Sequence, residues 1–213
     1  MASKRLILIL IVFGLASLAC FATGTQPTSV SVLFFDDFSD NSKKWDQYTG
    51  TSYTTAYYNN AYRIIMNDIH TDTWANPGKE SFIDTRIEVD AIKNNGPDDN
   101  DFGIICRYTG ADSFYYALIS SDGYFSIMKM TAEKGIILGR ESMHESDRIN
   151  RGAASNHIRF DCIGSTLTLY ANGFLLDEQT DIEYTAGNVG LISGALDTAG
   201  TDILFDNFYV FKP

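Results

Sequence analysis

The sequence predicts an all-β chain folded as a two-sheet antiparallel sandwich or jelly roll. Three observations predict it. Short runs rich in Tyr, Phe, Ile and Val recur along the chain, separated by turn residues. No window carries a sustained 3.6-residue apolar period, and Gly135 and Gly139 interrupt the best helical candidate. The four prolines, at 27, 77, 97 and 213, all fall outside the runs, as a hydrogen-bonded sheet requires. About a dozen short strands in about 180 residues suit a sandwich.

The chain opens with a different pattern. Lys4 and Arg5 precede an apolar run from Leu6 that continues weakly to Ala22, the form of a secretory leader. Ser17-Leu18-Ala19-Cys20 at its end resembles a bacterial lipobox. That resemblance implies a signal peptide over residues 1–19, cleavage before Cys20 and a lipid on its thiol. An uncleaved anchor is the alternative, since the stretch is at the short end of a spanning helix. Both place the remainder outside the cytoplasm, at the cell surface or facing the periplasm. Residues 20–32, small, polar and rich in Thr and Ser, then read as the lipidated Cys20 and a tether. Residues 33–213 form one domain with no second linker and no useful repeat.

The whole chain carries a formal charge of −11. Cleavage would remove Lys4 and Arg5 and no acid, so 16 basic residues become 14 against 27 acidic, a net −13. Such a surface argues against nucleic acid and against anionic membrane surfaces. It permits neutral sugars, cationic partners or Ca²⁺. With Cys20 lipidated, Cys106 and Cys162 are the two cysteines left. Outside the cytoplasm they can form one disulfide, or stay as two buried thiols.

The strands follow in order: 52–58, 61–66, 85–92, 102–108, 114–120, 124–130, 157–163, 166–171, 174–179, 189–193 and 203–211. Ser120-Ser121-Asp122-Gly123 and Ile163-Gly164-Ser165 mark reversals, and Asn172-Gly173 is a strong two-residue hairpin signal. Alternation puts Ile158, Phe160 and Cys162 on one face, and Phe102, Ile104, Cys106 and Tyr108 on another. Both cysteines therefore sit with the apolar sets.

From Asp101 to Pro213 the pieces are a Gly-hydrophobic-Cys-Arg-Tyr strand, an Asp-Gly hairpin, a Leu-Tyr-x-Asn-Gly hairpin, a Gly-x-Val-Gly-Leu strand and a closing Phe-Asp-Asn-Phe strand. Together they resemble bacterial concanavalin A-like (laminin G-like) jelly-roll domains. These belong to the group related to family-16 glycoside hydrolases and 3-keto-disaccharide hydrolases. "LFFDDFSDNSKKWD" resembles the first strand of the same domains. The resemblance implies fold more than function, because such jelly rolls serve as lectins, adhesion modules and enzymes alike. It also implies that the first and last strands are neighbours, bringing Asp36 and Asp37 toward Asp206.

Four sets of residues are candidates for a site. Glu88 and Asp90 in "RIEVDAIK" have the spacing of the first two acids of a glucanase Glu-x-Asp-x-(x)-Glu strand, but Ile92 and Lys93 stand where the second glutamate belongs. They read as acids on a wet strand face, paired with Arg107 or Lys129, and able to hydrogen-bond a ligand without cleaving it. Trp74 in "HTDTWANPGKE" reads as a loop aromatic open to a sugar ring, with Tyr57 and Tyr58 as further contacts and Arg107 as a polar one. Asp37 with Asp206 is the candidate pair for a structural Ca²⁺, and no other cofactor is expected. If the chain is instead a hydrolase, Glu80, Glu88, Asp90 and Glu141 are the acids to test. No zinc spacing, Gly-x-Ser-x-Gly elbow, phosphate loop or dinucleotide fingerprint occurs.

These observations point to a surface-anchored lipoprotein whose jelly roll binds a ligand, most plausibly a carbohydrate, without catalysis. A glycan-active hydrolase of the same fold and an envelope protein-interaction scaffold are the alternatives.

Overall fold

The structure, a computed structural model, describes residues 31–132 and 134–213. Cys20 and most of the expected tether lie outside the described residues. Strands follow one another through the whole described chain. They are β1 (Val32–Asp36), β2 (Tyr48–Thr49), β3 (Tyr53–Tyr58), β4 (Ala61–Met66) and β5 (Thr71–Ala75). Next come β6 (Thr85–Asn95), β7 (Asn100–Gly110), β8 (Ser113–Ile119), β9 (Tyr124–Met130), β10 (Gly135–Ile137) and β11 (His144–Glu145). The chain closes with β12 (Asn156–Ile163), β13 (Thr166–Ala171), β14 (Phe174–Thr180), β15 (Asn188–Ala195) and β16 (Thr201–Phe211).

Every pairing is antiparallel, in two sheets. The nine-strand sheet runs β14-β13-β12-β6-β16-β4-β3-β2, with β1 also on β16. The seven-strand sheet runs β10-β9-β8-β7-β15-β5, with β11 also on β9. Strands distant in sequence sit side by side, as β6 with β16 and β7 with β15, which is what a jelly roll requires. The expected meeting of the termini is present: Asp36 of β1 pairs with Phe208 of β16.

Alternation builds the core. In β6, Ile87, Val89 and Ala91 are buried; in β12, Ile158, Phe160 and Cys162; in β7, Phe102, Ile104 and Cys106. Each large side chain so buried contributes about 1.5–3 kcal/mol. Phe102 and Phe205 meet edge-on between the sheets, centroids 6.5 Å apart. Cys106 and Cys162 form a disulfide that ties the two sheets through this core.

Two tight turns rest on asparagine. Asn172-Gly173 between β13 and β14, and Asn59-Asn60 between β3 and β4, have positive φ at both residues, as a type I′ hairpin needs. Two bulges use the same conformation at other residues. Asn207 (φ 53°) sits where the β16–β6 register skips between Asp206 and Tyr209, and Arg107 (φ 54°) where β7 slips against β8 after Cys106.

The segment containing Trp74 is a strand, not a loop. β5 pairs with β15 at the edge of the seven-strand sheet, Trp74 opposite Ile192. The polar residues around Trp74 that suggest a loop are those an edge strand also carries.

Candidate functional site

The sequence candidates scatter over the sandwich. Glu88 and Asp90 project from the outer face of the nine-strand sheet. Their partner is His157 of β12, 3.5 Å from Glu88 and 2.8 Å from Asp90. The two carboxylates raise the imidazole pKa to about 9, Glu88 contributing most, and the His157 bond in turn lowers Glu88. Asn207 donates its amide to the other Asp90 oxygen at 3.0 Å. The face also carries Tyr209 stacked on Phe35 and Phe211, and Arg159 over Tyr170.

Neither expected basic partner is there. Lys129, on the other sheet, binds Asp181 at 2.7 Å and Glu183 at 2.9 Å. Arg107 is buried, and its guanidinium donates to the carbonyls of Ile83, Tyr184, Cys162 and Gly164 at 2.8–3.3 Å. The β7 bulge turns Arg107 out of the strand's alternation and toward these carbonyls. Alternation alone does not foresee a bulge, which is why the strand pattern misplaced it.

Tyr57 packs inward on Phe38 and Tyr62 and accepts the Trp45 amide, whereas Tyr58 lies outside under Arg63. Asp37 accepts the Ser39 amide, and Asp206 the Asn207 amide. Asp206 is raised mainly by burial, with Asp90 and Asp37 adding to it. Among the described residues no group of three or more His, Cys, Asp or Glu side chains is placed to hold a metal.

Trp74 leads to a different assembly, on the outer face of the seven-strand sheet. Trp74 on β5 and Phe114 on β8 are separated by β15 and β7, about 14 Å at ordinary strand spacing. Their rings nonetheless stand 5.2 Å apart, and Phe114 meets Tyr108 and Tyr116 at 5.4 Å each. The side chains lean together over the sheet. Phe114, Tyr116, Leu118, Ile105 and Ile192 are buried beneath Trp74, Tyr108, Met128, Met130 and Met143. Trp74 itself keeps a partly open surface.

One step along β5 from Trp74 on the same face is Asp72. Gly194 of β15 pairs with Asp72 on one side and Asp101 of β7 on the other. A Cβ on Gly194 would collide with an Oδ1 of both carboxylates, so the two oxygens lie within about 5 Å of each other. Asp72 is half-buried, Asp101 is 4% exposed, and the Asp101 Oδ1 has no hydrogen-bond partner. Burial raises both acids. Asp101 rises furthest, because the Asp72 charge adds to its desolvation while the Gly194 amide offsets only part. Burial also raises the Tyr116 phenol, with both aspartates adding to it.

A groove of about 440 Å³ opens where β7 begins and β15 ends, lined by Asp99, Ser120, Asp122, Tyr124, Ser142, Met143 and Leu196. Two carboxylates and no basic side chain line it.

No sequence pattern marks Asp72 and Asp101 as a pair, because they come from separate strands that meet only through β15. Asp101 belongs to the acidic run 98–101, which reads as a solvated loop; its last residue is instead the second of β7.

Solved structures share this two-sheet fold. The carbohydrate binding module CBM66 from Bacillus subtilis superposes with a TM-score of 0.63 at 15% identity, over 79% of this chain and 95% of that one. The β-glucanase of Bacillus licheniformis superposes at 0.60 and 12% identity, over 88% of this chain and 100% of that one. The chain has the concanavalin A-like jelly-roll fold. A GH16 protein of Bacteroides ovatus, in complex with a mixed-linkage glucan product, has the same jelly roll at 0.59 and 11% identity, covering 84% and 100%. No family model and no curated protein matches the sequence. At these identities the likeness establishes the jelly roll, and function rests on this chain's own residues.

Proposed function

We propose that this jelly roll binds carbohydrate on the outer face of its seven-strand sheet without cleaving it, held outside the cytoplasm by a lipid on Cys20. The observation that carries the reading is the pairing of the partly open Trp74 ring with Asp72 on one strand face, above an aromatic floor. An indole face suits the C–H face of a pyranose, and an adjacent carboxylate accepts its hydroxyls. That neighbours of the same fold include a carbohydrate binding module and glucanases supports the ligand class.

Hydrolysis is the second reading, favoured by two carboxylates brought together on one sheet face, the residue type that glycosidases use in pairs. Burial weighs against it. A glycosidic oxygen carries a sugar on each side, and Asp101 lies too deep to reach one. The full-length protein on a glycan array, with a parallel assay for released reducing sugar, tests both. Retention without release is expected, with loss of retention in Trp74→Ala. Sugar release would replace the binding reading with the hydrolase, and silence in both assays would favour a protein-interaction scaffold.

A further inference from the structure

We infer that the Asp72–Asp101 pair is a seat for a primary ammonium group, so that the glycan held on this face is an amino sugar with free amines. This deepens, and rests on, the carbohydrate reading. Two carboxylates this close, one of them buried, do not readily both ionise without a positive charge between them. Among the described residues no Lys, Arg or His side chain bonds to either one, and Asp101 Oδ1 stands buried without a donor. A ligand that brings a cation supplies what the fold leaves out.

The chemistry narrows which cation. Hard divalent ions want six or more oxygens, and here two carboxylates stand without a third acidic or imidazole ligand. A neutral sugar hydroxyl donates one hydrogen bond and brings no charge to replace the proton that Asp101 holds. An ammonium donates three and is small enough to wedge between the two acids. The neighbouring groove adds Asp99 and Asp122, which favour further amines along the same chain.

Calorimetry with four probes tests this: a glucosamine hexamer, its N-acetylated counterpart, cellohexaose, and 1,5-diaminopentane. The glucosamine hexamer should bind about tenfold or more tighter than its N-acetylated form, the scale of a charge-assisted hydrogen bond. Asp72→Asn and Asp101→Asn should bring that ratio close to one, thermal melts confirming that each variant folds. Equal or tighter binding of the neutral oligomers would overturn the ammonium seat and leave the carbohydrate reading standing. Asp72-dependent binding of the diamine, with no glycan bound, would keep the seat and overturn the carbohydrate reading. A melting shift with Ca²⁺ that Asp72→Asn removes, and none with any amine, would overturn the inference in favour of a metal.

Discussion

Asp72 and Asp101 face each other across Gly194, on strands that the intervening β15 holds one step to either side. Asp101 keeps its proton more firmly folded than unfolded, through burial and the Asp72 charge. The contribution of Asp101 is therefore fully present below the ordinary carboxylate pKa of about 4 and is lost as pH rises through the folded value. Asp101→Asn keeps the shape and removes the titration. It should stabilise the ligand-free protein by about 1–3 kcal/mol at neutral pH and flatten this part of the pH–stability curve. Melting temperatures of both proteins between pH 4 and 8 check it; an unchanged slope in the variant would sink the assignment.

Cys106 and Cys162, 56 residues apart, close a long loop across the core. The chain-entropy model assigns such a cross-link about 4 kcal/mol. The double variant Cys106→Ala/Cys162→Ala should lose a comparable amount, measured by urea unfolding, with cavity formation adding to the loss.

His157 is the pH-sensitive group of the opposite face. Its pKa is raised to about 9 by Glu88 and Asp90. A raised histidine stabilises fully below its unfolded pKa of about 6.5 and loses that contribution as pH climbs through 9. The stability difference between the native protein and His157→Gln should therefore shrink between pH 6.5 and 10. Imidazole resonances followed by NMR titration give the pKa directly.

Arg107 holds four backbone carbonyls from a buried position. Arg107→Met keeps the stem and strips the donors. It should cost about 3–5 kcal/mol, the scale for breaking a buried charged network, and loosen the loops at Ile83 and Tyr184. Hydrogen exchange at residues 82–84 and 183–186 should rise ahead of the core strands.

The strands, the sandwich and the inward cysteines were legible because each is written locally. A two-residue alternation such as Ile87-Val89-Ala91 against Glu88-Asp90 needs no knowledge of what lies beyond the strand. The outward placement of Glu88 and Asp90 follows from that alternation, and the missing second glutamate is plain in the chain itself. The positions of Arg107 and Trp74 were not legible. A bulge and an edge strand depend on which neighbour a segment pairs with, and pairing is non-local.

By itself, the sequence determined the fold class, the faces of its regular strands and the absence of a glucanase-type acid triplet. Only the tertiary structure decided which acids meet. Asp72 and Asp101 are separated by 28 residues of chain, and β15, which joins them, arrives nearly 90 residues after Asp101. Their closeness, the burial of Asp101 and the glycine between them are properties of three strands packed side by side. Desolvation and like-charge repulsion exist only once those strands have paired.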